Sequence, residues 1–195
     1  MSVTMDFETL DRMVKAVEKV RLRLIRVVDI LRRSEIDYAI SGGNAVASWV
    51  SQIDEAAVRN TQDVDVMIRR SDLTRLTHVM ESEGFIYRHV RGLDMFLDGE
   101  SASVRDAVYL IFAGEFVRQG EPLPNPEMGH WKEVGGYRVL DLEALVQIKL
   151  TANRDKDRTH LRDMIDVGLI DNSWVGKFPE PLNGRLQHIL NTPDG

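Results

Sequence analysis

The sequence predicts an α/β (α+β) fold in which a small mixed β-sheet is backed by helices. Three patterns favour it. Apolar residues recur three or four positions apart from Asp6 to Arg33, the period of an amphipathic helix. A short apolar run over 37–41 stops at a pair of glycines, as a strand does before a tight turn. Apolar and acidic residues alternate over 63–68 with the two-residue period of a half-buried strand.

Composition restricts the classes of function. The chain has 195 residues, a formal net charge of −6, 43% hydrophobic and 29% charged residues, which excludes a wholly disordered chain. It has no cysteine, so disulfides, thiolate zinc sites and cysteine nucleophiles are excluded. No apolar run approaches the roughly 20 residues of a membrane span, and the N-terminus lacks the order of a signal peptide. We therefore expect a cytoplasmic protein without a membrane partner.

The elements of the N-terminal half follow in order from the first helix. Asp6 is expected to cap its first turn, and Glu8 lies near the positive end of the helix dipole. The glycine pair after the first strand leads into a helix over 44–52. After the alternating strand, Ser71–Asp72 begins another helix, which ends at Gly84. Polar caps and glycines thus set the predicted boundaries.

The C-terminal half continues with strands and then helices. A hairpin is predicted across Arg91–Gly92, and 104–113 is a further strand. The segment that follows holds three of the six prolines, which predicts an irregular connection. A short strand over 137–140 precedes a helix that begins at Asp141, and a second helix spans 157–167. The predicted parts are an N-terminal helix (1–35), a core (36–118), the irregular connection (119–136) and a C-terminal helical part that packs on the core (137–195).

Two short motifs could bind a nucleotide and a metal ion. Gly42–Gly43 lies between strand and helix, where glycines let backbone amides approach a phosphate at the positive end of a helix dipole. Asp63 and Asp65 point the same way on one strand, about 7 Å apart, so both can reach one magnesium ion. Each motif alone has an ordinary explanation, as a tight turn or as a solvent-facing strand. Together they favour phosphoryl or nucleotidyl transfer, which needs a phosphate site and a metal.

These motifs, in this order, resemble those of the nucleotidyltransferase superfamily, whose fold is shared with DNA polymerase beta. The later part of the chain is similar to the AbiEii type of nucleotidyltransferase, whose members are often the toxin of an abortive-infection toxin–antitoxin pair. The resemblance covers about residues 36–168 as an ordered set, which is more specific than any single motif. The motifs that carry it are the glycine pair, Thr61-x-Asp63-x-Asp65, Lys149 and Arg162-Asp163-x-x-Asp166.

The resemblance implies a nucleotidyltransferase fold and a role for each matching residue. Asp63 and Asp65 would bind Mg²⁺. Lys149 would contact the phosphates or the acceptor, and Asp163 would help the site. Such enzymes move a nucleoside monophosphate from a nucleoside triphosphate (NTP) to a hydroxyl, often on RNA and sometimes on protein, and an antitoxin is a further expected partner. The nucleotide phosphates would lie at the turn formed by Ser41, Gly42 and Gly43.

One position departs from the superfamily pattern. The superfamily usually supplies a third carboxylate from a later strand, and the residue that aligns with it here is Tyr109. Asp106 is the nearest carboxylate, but its offset of three places it on the opposite face of that strand. A phenol with an ordinary pKa near ~10 is a poor base at neutral pH. The alternative to an enzyme is therefore a catalytically silent relative that binds a nucleotide, RNA or a partner protein.

Overall fold

The computed structural model describes residues 7–193, which form one seven-stranded mixed sheet with helices on both faces. The predicted fold class is confirmed. Asp6, the predicted cap of the first helix, lies outside the described residues. The strands are β1 (Tyr38–Ser41), β2 (Val64–Ile68), β3 (Ile86–Val90), β4 (Leu93–Leu97), β5 (Val108–Phe112), β6 (Trp131–Val134) and β7 (Tyr137–Leu140), in the spatial order β3-β4-β5-β2-β1-β7-β6. The helices are α1 (Phe7–Arg33), α2 (Gly42–Val50), α3 (Leu73–Ser82), α4 (Leu142–Ala152), α5 (Asp155–Asp166) and α6 (Leu182–Asn191).

The centre of the sheet brings distant parts of the chain together. β1 and β2 are antiparallel, and Ser41 at the end of β1 lies opposite Asp65 near the start of β2. β2 runs parallel to β5, and there Asp65 lies opposite Tyr109. The glycine turn after β1 therefore lies beside the first residues of β2, where β1 ends and β2 begins.

Two hydrophobic clusters cover the two faces of the sheet. β2 contributes to both because its side chains alternate: Val66 packs in the cluster of α1 and α3, and Met67 in the cluster of α2, α4, α5 and α6. The second cluster joins the C-terminal helices to the sheet through fully buried residues such as Leu145 and Leu161. None of the helices within residues 7–193 is both long and apolar enough to cross a membrane.

The amphipathic helix α1 packs with only part of its length. The members of its repeating apolar pattern are buried from Val20 onward, and Leu31 is fully enclosed, whereas Leu22 and Ile25 are 55% and 47% exposed. Earlier members of the same pattern stay in solvent, with 92% of Phe7 and 66% of Val14 exposed. The sequence period predicts the helix correctly, but it does not distinguish the half that packs from the half that projects.

Four predicted boundaries need correction. The irregular connection over 119–136 ends earlier, because Trp131–Val134 is strand β6 and pairs with β7 across a glycine turn. The strand predicted over 104–113 begins only at Val108, since Val104–Asp106 is a 3₁₀ turn. Two helices begin earlier than expected, α5 at Asp155 instead of 157 and α2 at Gly42 instead of 44. The hairpin across Arg91–Gly92 is confirmed, and both turn residues have positive φ.

Candidate active site

The two predicted metal ligands lie at the start of β2. Asp63 immediately precedes the strand and Asp65 is its second residue. Asp65 is partly buried between the end of β1 and the middle of the sheet. Asp63 is more open, with 26% of its side chain exposed. Burial, and after it the negative charge of Asp63, raise the pKa of Asp65.

The glycine turn is shaped by the side chains that face it. Gly42 has a φ of +63°, and a Cβ built there would stand 1.7 Å from Oδ2 of Asp65. A Cβ on Gly43 would stand 2.9 Å from the Oγ1 of Thr61. Both positions therefore require glycine, because the carboxylate and the hydroxyl occupy the space of a side chain. Ser41, the buried residue before the turn, makes no side-chain cap to α2, so that cap does not occupy the first amides of the helix.

Polar contacts hold Asp63 against the turn. The Thr61 hydroxyl donates to Oδ1 of Asp63 at 2.7 Å, and the Asn44 side-chain amide donates to the Asp63 carbonyl at 2.8 Å. The Nζ of Lys156, on α5, lies 4.0 Å from the other carboxylate oxygen. The aspartate is thus fixed from α2, from the preceding loop and from α5.

The Asp65 carboxylate is left without a hydrogen-bonding partner. No side chain or backbone N–H among residues 7–193 donates to it. Burial and then the neighbouring Asp63 raise its pKa to about 6. Positive charges on Lys149, Lys156 and Arg154 act in the opposite direction but do not compensate. A partly buried carboxylate without a donor from the protein is suited to bind a cation supplied from outside the chain.

Lys149 supplies a buried positive charge beside the pair. The residue is 3% exposed, and its Nζ donates to Oδ1 of Asp157 at 3.2 Å. The Arg154 guanidinium binds the same carboxylate, at 2.6 Å from Nε to Oδ2. Sequence reasoning gave no role to Asp157, Arg154 or Lys156. The charged run from 154 to 158 after Lys149 was the available signal, but charge runs usually mark a solvated helix face.

Asp163 lies in a different environment from the carboxylate pair. It is 7% exposed, and its Oδ1 accepts from Nε of Arg59 at 2.7 Å. Oδ2 of the same carboxylate is buried without a partner. Arg59 belongs to the loop before β2, so this ion pair fastens that loop to α5. The structure therefore places Asp163 with the loop that carries Asp63, and a catalytic role for it stays a prediction.

Neither residue considered for the third carboxylate supplies one. Tyr109 does lie beside Asp65, but its hydroxyl donates to the carbonyl of Val104 at 2.9 Å. Burial and the two aspartates raise its pKa, so even less phenolate is present at neutral pH to accept a proton. Asp106 accepts from the Ser103 hydroxyl at 3.1 Å and pairs with Lys19 of α1 at 3.7 Å. Within the described part of the chain, no group of three or more His, Asp or Glu side chains could hold a metal ion.

The donor set nevertheless fits a magnesium ion bound together with a nucleotide. Magnesium is commonly held by one or two carboxylates, with substrate phosphates and water as the remaining ligands. Asp63 and Asp65 provide two carboxylates, and that of Asp65 has no hydrogen-bond donor among the described residues. The adjoining turn provides glycine backbone at a helix N-terminus, where an anion is favoured.

Two cavities of the described structure lie near β1. One of about 310 Å³ separates α1 from α2, and Asn44 and Thr61 on its wall also contact Asp63. Another of about 560 Å³ lies at the opposite end of β1, around Tyr38 and Arg138. Only the smaller cavity adjoins the candidate site.

Comparison with known proteins supports the fold and leaves the reaction open. No family model matches the chain, and no curated protein matches it in sequence. Among solved structures, a Helicobacter pylori protein assigned as a nucleotidyltransferase is 14% identical with a TM-score of 0.52, covering 92% of this chain and 78% of its own. The antibiotic-resistance factor ANT(2'')-Ia is 13% identical, with a TM-score of 0.50 and coverages of 91% and 85%.

A third solved structure agrees with these two. A nucleotidyltransferase-like antigen of Paracoccidioides brasiliensis is 18% identical with a TM-score of 0.50, covering 91% of this chain and 88% of its own. At these identities the likeness shows the fold alone. The chain therefore has the nucleotidyltransferase fold, as the sequence motifs implied.

Proposed function

We propose that the protein is a magnesium-dependent nucleotidyltransferase of the AbiEii type. It would move a nucleoside monophosphate from an NTP to a hydroxyl of RNA or protein. The observation that carries the proposal is the contact between Gly42 and the Asp65 carboxylate, which joins a phosphate-binding turn to a metal-binding residue. Only such a juxtaposition lets one bound triphosphate contact both.

Each residue of the site has a role in this proposal. Asp63 and Asp65 would hold the metal, which when bound offsets the charge of the triphosphate and of the leaving pyrophosphate. The turn from Ser41 to Gly43 would hold phosphate oxygens through backbone N–H groups. Lys149 would stabilise the negative charge that develops as the bond to pyrophosphate breaks. Asp163, on α5, would act at the edge of the site through its ion pair with Arg59, which holds the loop before β2.

A silent binding protein is the second candidate, and Tyr109 favours it. An acceptor hydroxyl must lose its proton, and the side chain beside Asp65 is a phenol with a raised pKa. A protein with this site could bind a nucleotide, RNA or a partner protein without turnover. The two candidates share nucleotide binding and differ in product formation.

The first experiment is calorimetric titration of the four ribonucleoside triphosphates, with and without magnesium, into wild type and Asp63→Ala. We expect one nucleotide to bind wild type only with magnesium, and the variant to lose this binding while keeping its thermal unfolding temperature. Asp29→Ala, at an exposed position of α1, is the matched control. Full metal-dependent binding by Asp63→Ala would contradict the proposed site. Incubation of wild type with labelled triphosphate separates an enzyme, which forms a labelled product, from a silent binding protein.

The cellular part of the proposal is a toxin of a toxin–antitoxin pair that acts in the cytoplasm. Expression in a bacterial host is expected to arrest growth, and Asp63→Ala to abolish the arrest. Coexpression of a small protein encoded by the neighbouring gene would restore growth if that protein is the antitoxin. Normal growth during expression of active, soluble enzyme would contradict the toxin role and leave the transferase proposal standing.

A further inference from the structure

We propose that Asp157 is a positioning residue for nucleotidyl transfer, because its carboxylate fixes Lys149 and Arg154 in place beside the Asp63–Asp65 pair. The inference rests on the proposed function and adds a residue that the sequence motifs do not contain. Asp157 contacts no reacting group itself. It acts by holding two cations, one from α4 and one from the turn before α5.

The geometry of Asp157 is that of a buried clamp. The residue is fully buried, and both of its oxygens accept two hydrogen bonds. Oδ1 accepts from Nζ of Lys149 at 3.2 Å and from Nη2 of Arg154 at 3.3 Å. Oδ2 accepts from Nε of Arg154 at 2.6 Å and from its backbone N–H at 3.2 Å. Charge-assisted contacts of this kind fix direction as well as distance.

The two cations that Asp157 holds differ in their exposure. Lys149 is almost completely buried, whereas 42% of the Arg154 side chain is exposed. Both act electrostatically on Asp65. The clamp therefore joins a buried charge next to the carboxylate pair to a guanidinium that a substrate can reach, a suitable arrangement for phosphate oxygens.

Asp157 also favours the charged form of the buried ammonium. Burial lowers the pKa of Lys149. The charges of Asp157 and Asp65 raise it, and the effect of Asp157 is the larger. Arg154 opposes them. His160 on α5 also faces this ammonium, but burial and then the Lys149 charge lower its pKa to about 4, so it is neutral at pH 7. Without Asp157, we expect a larger fraction of Lys149 to be the neutral amine at neutral pH.

A purely structural role is the competing explanation. Asp157 is the third residue of α5 and accepts the backbone N–H of Arg154, so it also caps that helix. Loss of a cap lowers the folded fraction, and activity would then fall by the same factor at every pH. Loss of the clamp would instead lower activity more as the pH rises and Lys149 loses its proton.

The test compares Asp157→Asn with Asp155→Asn between pH 6 and pH 9. Asp155 is the matched control, because its side chain is 96% exposed and pairs only with Arg158 in the described structure. At pH 8 we expect kcat/KM of Asp157→Asn to fall roughly 10- to 100-fold, with most of the loss in kcat. The loss should shrink toward pH 6. Asp155→Asn should match wild type throughout.

A second readout does not need turnover. The pKa of the Lys149 Nζ, measured by NMR in the free protein, should fall by about one unit or more in Asp157→Asn. Affinity for magnesium pyrophosphate should fall as well. If Asp157→Asn does not fold, Arg154→Gln replaces it, and we expect a several-fold loss of kcat/KM and of pyrophosphate affinity from this more exposed position.

The outcomes separate the two proposals. A folded Asp157→Asn with the wild-type pH profile, Lys149 pKa and pyrophosphate affinity would overturn the clamp. So would a loss of activity that is uniform with pH and matched by the loss of folded protein. Wild type without any transfer activity would overturn the proposed function, and the NMR and pyrophosphate measurements would still decide whether Asp157 holds the two cations.

Discussion

Two carboxylates in the same sheet show how a site differs from a structural contact. Asp94 on β4 is 3% exposed and accepts from the hydroxyl of Tyr87 and from Nη1 of Arg70 at 3.0 Å. Nδ1 of His89 lies 2.8 Å away. Asp65, two strands along, has no such partner among the described residues. Both side chains lose solvent, but only one is compensated by the protein.

The pKa values of the two carboxyls move in opposite directions for this reason. Burial alone would raise the pKa of Asp94, but hydrogen bonds from Tyr87, His89 and Arg70 outweigh it and lower the pKa. Burial and then the charge of Asp63 raise the pKa of Asp65 to about 6, and no residue within 7–193 donates a hydrogen bond to its carboxylate. A carboxylate satisfied by its neighbours stabilises the fold, whereas one left unsatisfied costs stability and is available to a ligand.

The largest expected effect separates the two positions by activity. Asp65→Asn should lower metal-dependent transfer at least about 10³-fold, since charge stabilisation by a bound metal contributes several kcal/mol. Asp94→Asn should leave kcat within about twofold, provided that the assay temperature lies well below its unfolding temperature. Initial rates at saturating magnesium test both. Equal losses in the two variants would contradict the distinction between them.

The next effect separates them by stability. Asp94→Asn should lower the free energy of unfolding by about 2 to 4 kcal/mol, because three donors lose a charged acceptor. The Asp94 pKa is lowered in the fold, so its contribution is present above the ordinary pKa of 3.8 and lost as the pH falls below it. Urea unfolding at pH 7 and pH 3 measures this. A variant as stable as wild type at pH 7 would contradict the structural role.

Asp65→Asn should change stability in the opposite direction. Its pKa is raised in the fold, so the ionised form costs stability as the pH rises from 3.8 to about 6, and the full cost applies above that range. We expect the variant to be about 1 to 2 kcal/mol more stable than wild type at pH 8, and equal to it near pH 3. The measurement is urea unfolding without magnesium. Destabilisation at pH 8 would show that the carboxylate is already compensated.

How far the site could be predicted depended on sequence distance. The glycine turn and the two aspartates are short contiguous motifs, and the structure brings them into contact as the sequence suggested. The role of Asp157 was missed because it depends on the packing of α5 against α4. In the sequence the charged run around it is typical of a solvent-exposed helix face, but this packing buries Asp157 beside Lys149. Strand β6 was missed because the prolines before it suggested a longer irregular segment.

The sequence by itself determined most of the elements, the mixed fold and the motif positions, because periodicity, caps and glycines act over a few neighbouring residues. Only the tertiary structure decided which half of α1 packs, that the Tyr109 hydroxyl donates to the carbonyl of Val104, and that Asp163 binds Arg59. Strand register and helix docking join residues that are far apart in the chain. The desolvation of Asp65 and the charge on Lys149 depend on those long-range contacts, so no local pattern could predict them.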